Sequence, residues 1–191
     1  MAEGLVPEAV IGDLDSVSAA ARAAIPAERF HAVAEQDSTD FEKSLTRIAA
    51  PLVIAVGFSG PRLDHALATL SVLSRHPQRR CLLLGGEDVI FLAPPRLRLD
   101  LAPGERVSLF PMGPVSGRSA GLFWPIDGIP FAPDGRVGTS NRAEGAVEIA
   151  FDAPKMLVAL PAARLEPAVN ALLAASGWPA AHGPTGGARG R

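Results

Sequence analysis

Five of the ten aspartates in this 191-residue chain fall in three short stretches within its first 64 residues. The first is Gly12-Asp13-Leu14-Asp15-Ser16. The second is Gln36-Asp37-Ser38-Thr39-Asp40-Phe41-Glu42-Lys43, and the third is Gly57-Phe58-Ser59-Gly60-Pro61-Arg62-Leu63-Asp64-His65. Carboxylates gathered from separate loops make a hard, oxygen-rich site of the kind Mg²⁺ takes, keeping waters and sharing phosphate oxygens. Asp13, Asp15, Asp37 and Asp40 are the candidate metal ligands. In the third stretch a glycine-containing turn (Gly57, Gly60) enters a helix, and backbone N–H groups at such a start bind anions. Arg62 there has the fork to grip a phosphate bidentately, with Asp64 as metal ligand or as a group acting through water. His65 reads either as a phosphate donor or as a packed helix histidine.

Lysine usage adds a second pointer. Only Lys43 and Lys155 are lysines among 18 basic residues. A lysine is a compact point charge where arginine is a planar fork, so Lys43, inside the acidic second stretch, is a candidate phosphate contact. The alternative is a helix-surface ion pair. The chain carries no Gly-x-x-x-x-Gly-Lys-Ser/Thr, no Gly-x-Gly-x-x-Gly, no Gly-x-Ser-x-Gly and no Cys/His pair. The residues alone therefore point to Mg²⁺-assisted phosphoryl transfer or hydrolysis.

These stretches need strand ends to hold them. Ala9-Val10-Ile11 is a short apolar run before Gly12, and if it is a strand, Asp13 and Asp15 project to one side about 6.5–7 Å apart. That edge is where open α/β sheets bind ligands. An Asx turn, with Asp15 or Ser16 capping a Ser18–Ile25 helix, explains the same residues structurally. Phe30 to Val33 suits a second strand. Thr39 followed by Glu42 is a capping-box pair that starts a helix near Asp40, where acidic residues also favour the helix dipole. Leu52 to Val56 reads as a buried parallel strand, and Leu63, Leu67, Leu70 and Leu73 as one face of the helix that follows. Arg80–Leu84 and Val89–Leu92 supply two more strands. This alternation predicts an α/β fold: an N-terminal mostly parallel sheet with flanking helices, Rossmann-like, over residues 1–95.

The texture changes at Ala93-Pro94-Pro95. Short β-rich pieces follow at intervals of roughly ten residues: Leu97–Leu101, Arg106–Phe110, Gly121–Trp124, Arg136–Ser140, Ala146–Phe151 and Met156–Leu160. They predict a C-terminal antiparallel β-sandwich over residues 96–162. A helix from about Leu165 to Ala175 and a Gly-rich, disordered tail from Gly183 make up residues 163–191.

Composition sets the outer bounds. A formal charge of −2 with 20% charged residues argues against a nucleic-acid or anionic-membrane partner. With no apolar run of 18 residues and no leader at Met1, the expectation is a cytoplasmic protein. The single cysteine, Cys81, precedes Leu82-Leu83-Leu84 and reads as a small buried hydrophobe.

In order and in spacing, the three stretches resemble the thiamine pyrophosphokinase (thiamine diphosphokinase) family. Its pattern runs Gly-Asp-(Phe/Leu)-Asp-Ser, Asp-x-Thr-Asp-(Phe/x)-x-Lys and Gly-x-x-Gly-x-Arg-x-Asp-His, then Gly-Leu-x-Trp and Ser-Asn. The last two correspond here to Gly121-Leu122-Phe123-Trp124 and Ser140-Asn141, so the resemblance covers roughly residues 4 to 160. It implies transfer of pyrophosphate from the co-substrate ATP to thiamine, with Mg²⁺, giving thiamine diphosphate and AMP. It also implies a homodimer with thiamine at the subunit interface. Carried over, Asp13, Asp15, Asp37, Asp40 and Asp64 bind Mg²⁺ or position the hydroxyl, and Lys43 and Arg62 hold phosphates. Gly57, Gly60, Ser16 and His65 belong to the nucleotide side. Trp124 packs against thiamine, with Ser140 and Asn141 bonding its aminopyrimidine, and Asp37 or Asp64 takes the proton.

Two departures stand out. The family pattern has a strand–helix–strand with Ala-Asp-Gly-Gly ahead of the first aspartates, which this sequence lacks, and Pro61 replaces a usual glycine, removing one N–H donor. A pterin-alcohol pyrophosphokinase, a phosphatase of the haloacid-dehalogenase type and a truncated, non-catalytic thiamine-binding homologue are the competing readings.

Overall fold

The computed structural model describes residues 6–15, 17–33, 35, 37–58, 60 and 62–179. Ser16, Pro61, the first five residues and the C-terminal tail named above lie outside them. The chain divides into two compact units, residues 1–50 and 51–191.

The first unit is a small strand–helix–strand with one helix added. Strands β1 (Val10–Gly12) and β2 (Phe30–Ala32) pair in parallel, Val10 opposite Phe30. Parallel strands need a crossover, and α1 (Ala19–Ala24) supplies it. Its cap is Ser18, whose hydroxyl accepts the Ala21 N–H at 3.2 Å, three positions beyond Asp15 and two beyond Ser16, the caps considered above. Helix α2 (Asp40–Arg47) begins where the capping pair predicts, Thr39 Oγ1 accepting from the Glu42 N–H at 3.2 Å. Phe41 and Leu45 on α2 are buried.

The second unit is built on one eight-stranded hydrogen-bonded sheet, seven of whose strands run β3-β4-β5-β10-β7-β9-β6, with β8 paired to β9. Strands β3 (Val53–Val56) and β4 (Cys81–Gly85) are parallel, joined by α3 (Leu63–Arg75). A tight turn through Gly86 then reverses the chain into β5 (Asp88–Leu92), antiparallel to β4. From there every pairing is antiparallel: β6 (Arg96–Leu99), β7 (Arg106–Pro111), β8 (Gly117–Leu122), β9 (Gly138–Phe151) and β10 (Met156–Pro161). Because β5, before Pro94-Pro95, pairs with β10, well after it, one sheet takes strands from both sides of that change in texture. The fold is thus mixed α/β, with a small parallel sheet and a large, mostly antiparallel one. Helix α4 (Leu165–Ala174) closes it, burying Ala168 and Leu172 against a core that includes Leu82, Phe91, Leu99, Val107, Val147 and Met156.

Several expectations change. β3, expected to be buried, lies at the edge of the sheet with Ile54 and Val56 exposed. The stripe on α3 is only half used: Leu73 is buried, but Leu63 and Leu67 are 71% and 56% exposed. Within this unit the helix packs on β5. The strands expected at Arg136–Ser140 and Ala146–Phe151 are one strand, β9. Its first half pairs with β7 and its second half with β6 and β8, and Gly145 lies between them at φ 146°. Cys81 is 3% exposed and burial pushes its thiol up to about 12, as its apolar setting suggested. Among the described residues no helix is long and apolar enough to cross a membrane.

Where β8 meets β9 the register slips between Ala120 and Leu122, and Gly121 fills the gap at φ 78°. A Cβ there would sit 2.1 Å from the Ala146 carbonyl oxygen, a backbone atom that cannot step aside. Gly121→Ala should lower unfolding stability by about 3 kcal/mol in urea titration, from strain and clash combined.

Candidate functional site

The first two aspartate stretches meet inside the first unit. Gly12 ends β1 at φ 152°, and a Cβ there would lie 3.0 Å from Asp40 Oδ1. Glycine thus lets the Asp40 carboxylate close against the strand end from which Asp13 follows. Asp13 Oδ1 accepts the Asp15 N–H at 3.1 Å, so the expected Asx turn exists, and Leu14 takes a left-handed φ of 65° to make it. Asp13, Asp15 and Asp37 are exposed. Lys43 is 4% exposed and its Nζ lies 3.5 Å from Asp40 Oδ1. Its stem is buried while its charge meets the carboxylate at the strand end.

Among the described residues no three His, Cys, Asp or Glu side chains form a group that could hold a metal ion alone. Mg²⁺ does not require one, since it binds through one or two carboxylates together with substrate phosphates and water. The all-oxygen donors at the β1 end and the glycine gap that admits Asp40 fit such an ion.

The third stretch lies in the second unit. Gly57 leaves β3 at φ 87°, and neither Gly57 nor Gly60 has an atom within 4 Å of where a Cβ would be. Arg62 is the residue before α3, a thirteen-residue helix, and gives it no side-chain cap, while the His65 N–H donates to the Asp64 carboxylate. The Arg62 guanidinium instead grips Asp64, Nη2 to Oδ2 at 2.7 Å and Nε to Oδ1 at 3.3 Å. That contact lowers the Asp64 pKa from its ordinary 3.8 and raises that of Arg62. His65 Nε2 is 3.9 Å from the same carboxylate, and all three side chains are 66% exposed.

A second group in this unit gathers Trp124, Ser140 and Asn141. The slip in the β7–β9 register between Val107 and Leu109 puts Ser140 at φ 62°, its N–H donating to Ser108 Oγ at 3.0 Å. Asn141, 5% exposed, holds the backbone of Trp124 from both sides. Its Nδ2 donates to the Trp124 carbonyl at 2.7 Å, and its Oδ1 accepts the Trp124 N–H at 3.2 Å and the Arg142 N–H at 2.8 Å. Trp124 is 55% exposed and borders a cavity of about 100 Å³ with Ile126, Phe131, Arg136 and Asn141. Ser140 is exposed beside it.

Sequence reasoning missed two members of this group. Phe123 meets Trp124 edge-on, centroids 4.7 Å apart, and the Arg142 guanidinium stacks 3.6 Å from the Phe123 centroid and 5.6 Å from that of Trp124. Both adjoin recognised motif residues, which was the available signal.

Comparison with known proteins divides the chain further along than the two compact units do. Residues 1–83 match the thiamin pyrophosphokinase catalytic domain, and residues 96–156 match the thiamin pyrophosphokinase vitamin B1 binding domain. The chain belongs to the thiamine pyrophosphokinase family. Thiamine pyrophosphokinase 3 of Oryza sativa subsp. japonica is 30% identical over 162 residues, 74% of this chain and 61% of that protein. Thiamine pyrophosphokinase 1 of Arabidopsis thaliana is 29% identical over 123 residues, 56% of this chain and 46% of its own length. The chain therefore spans about half to three-fifths of these relatives. The thiamin pyrophosphokinase of Candida albicans shares the fold, with TM-score 0.69 at 14% identity over 82% of this chain and 74% of that one.

Two measurements check the geometry. The Asp64 carboxyl should titrate below 3.8 by NMR and return upward in Arg62→Ala. Since its folded value is the lower one, its small stabilising effect is present above the unfolded pKa and is lost as pH falls through the folded value. Asn141→Ala removes three hydrogen bonds and should cost about 3 kcal/mol in chemical denaturation. Asn141→Asp keeps the two that Oδ1 accepts and should cost less.

Proposed function

We propose that this chain transfers the pyrophosphoryl unit of ATP to the hydroxyethyl oxygen of thiamine, giving thiamine diphosphate and AMP. The observation that carries the reading is the approach of Asp40 to the Gly12 strand end, which joins the first two family motifs at one edge. The hydroxyl oxygen forms a bond to the β-phosphorus, the bond from that phosphorus to the α–β bridging oxygen breaks, and AMP leaves with the electron pair. Charge spreads over phosphoryl oxygens, so positioning and electrostatics dominate. Mg²⁺, when bound, neutralises phosphate charge, and Asp13, Asp15, Asp37 and Asp40 are the residues that would hold it.

Of the two candidate bases, Asp37 is favoured. Asp64 is already gripped by Arg62, which lowers its basicity, whereas the Asp37 carboxylate has no ion pair among the described residues. Arg62, the start of α3 and the Gly57–Gly60 turn form the phosphate side, with Lys43 supporting Asp40 and His65 at its rim. On the vitamin side, Trp124 offers a flat apolar face with Ser140 next to it. Arg142 already places a positive charge 5.6 Å from that indole. A second cation is disfavoured there, so the neutral aminopyrimidine, rather than the thiazolium, lies on Trp124. Asn141 acts through Trp124, because its amide is committed to that residue's backbone.

The finer architecture belongs to the same proposal. A Rossmann-like N-terminal part (1–95), a β-sandwich (96–162) and a C-terminal segment (163–191) follow the break between the two family matches. The two pairing halves of β9 support the sandwich. A homodimer with thiamine at the subunit interface and a cytoplasmic location complete the reading.

With Mg²⁺, ATP and thiamine, nucleotide chromatography should show AMP rather than ADP. Orthophosphate release would indicate a phosphatase, AMP only with a pterin alcohol the related kinase, and no turnover a binding protein. Asp37→Asn should reduce turnover at least a hundredfold with circular dichroism unchanged.

A further inference from the structure

The outer face of the β6–β9–β8 ladder carries a feature that the proposed reaction does not use. Two cross-strand rows lie side by side on it. In one, Arg98 of β6 faces Glu148 of β9, which faces Ala120 of β8, and Arg98 Nη1 meets Glu148 Oε1 at 2.9 Å. In the next, Arg96 faces Ala150, which faces Arg118. The first row has an acid in its central strand, and the second has an alanine between two arginines.

Like charges in one row repel unless something intervenes. Arg96 and Arg118 stand two strand spacings apart, about 10 Å between Cα atoms, within joint reach of one group. Both are exposed, and neither has an ion-pair or hydrogen-bond partner among the described residues. Arg98, by contrast, is satisfied by Glu148 and by Asp100 at 3.3 Å.

The space above Ala150 is an open groove with a second wall. The C-terminal part of α4 and the residues after it form the opposite wall with Ala171, Ala174, Ala175 and Ser176, leaving a groove of about 580 Å³. Pockets for small organic ligands span roughly 300–1,000 Å³. A helix C-terminus disfavours an anion, but here the Ala175 carbonyl is occupied by Arg80 Nη2 at 2.7 Å. The Ser176 residue borders the groove with a hydroxyl.

We infer that this groove binds a small phosphorylated molecule, its phosphate over Ala150 between Arg96 and Arg118 and its remainder on the alanine wall. The phosphate occupies in the second row the place that the Glu148 carboxylate occupies in the first. Two guanidinium forks suit a multivalent tetrahedral anion better than a single carboxylate.

The test is calorimetric titration of the full chain with inorganic pyrophosphate in EDTA at fixed ionic strength. Binding to the wild type is expected, weakened at least tenfold in Arg96→Ala/Arg118→Ala and retained in Arg62→Ala, which separates this groove from the proposed nucleotide site. Ala150→Glu supplies the missing acid, and should abolish pyrophosphate binding while raising Tm. AMP binding at the same site would place an organic ring on the alanine wall, and pyrophosphate alone would restrict the occupant to the inorganic anion; both support the inference. It is overturned if the wild type binds no pyrophosphate, if the double variant binds it as well, or if Arg98→Ala weakens it equally. It is also overturned if Ala150→Glu leaves binding intact, or if the double variant changes only the oligomeric state.

Discussion

The second unit depends on one strand doing two jobs. The fourteen residues of β9 pair with β7 at one end and with β6 and β8 at the other, and no straight, evenly pleated strand can serve both ladders. The mismatch is absorbed at a few points: Ser140 in a left-handed conformation, the Val107–Leu109 slip, Gly145, and Gly121 opposite. One of these irregularities bears on the candidate site. The slip that turns Ser140 outward also turns Asn141 inward, where its amide holds Trp124 in place. A side chain buried with all its hydrogen bonds made is a rigid anchor, because moving it leaves polar atoms without partners in a dry interior.

In the first unit the governing constraint is electrostatic. Only eight residues of helix and two three-residue strands support Asp40, Lys43 and Asp13. Burying the Lys43 stem while leaving Asp40 largely exposed keeps the cation near the strand end without freeing it to wander in solvent. The scarcity of lysine gains a physical meaning here. At Lys43 the side chain is almost wholly enclosed, and the stem of Lys155 lies close against Gly113, where a Cβ would come within 3.3 Å of it. Both are places where a slim, unbranched chain fits more easily than a planar guanidinium.

What could be read from the chain was local. The Thr39 cap, the apolar runs that became β3, β4 and β10, and the buried cysteine all follow from neighbours in sequence. What could not be read depends on partners far along the chain. Gly117–Leu122 contains small and polar residues with little strand preference of their own, yet it pairs because β9 lies beside it, so the strand expected at Gly121–Trp124 begins earlier. The continuity of β9 was hidden by Gly145, which reads as a break between strands and lies within one. Leu63 and Leu67 show the limit of periodicity, which identifies a helix face but not how far along it the neighbouring sheet extends. Of the proposed site, residue types and order were legible. That Asn141 serves Trp124's backbone and that Arg62 is engaged with Asp64 required coordinates.

The end of α4 is stitched to distant parts of its unit: Arg80 reaches the Ala175 carbonyl, and the Trp178 indole donates to the Ala93 carbonyl at 2.8 Å. These two clasps tie the end of α4 and the residues after it back to the start of β4 and the exit of β5. Shortening the polypeptide before Trp178 would therefore loosen the middle of the sheet, not merely trim an end. At this end of the chain an affinity tag or fusion partner belongs after that indole.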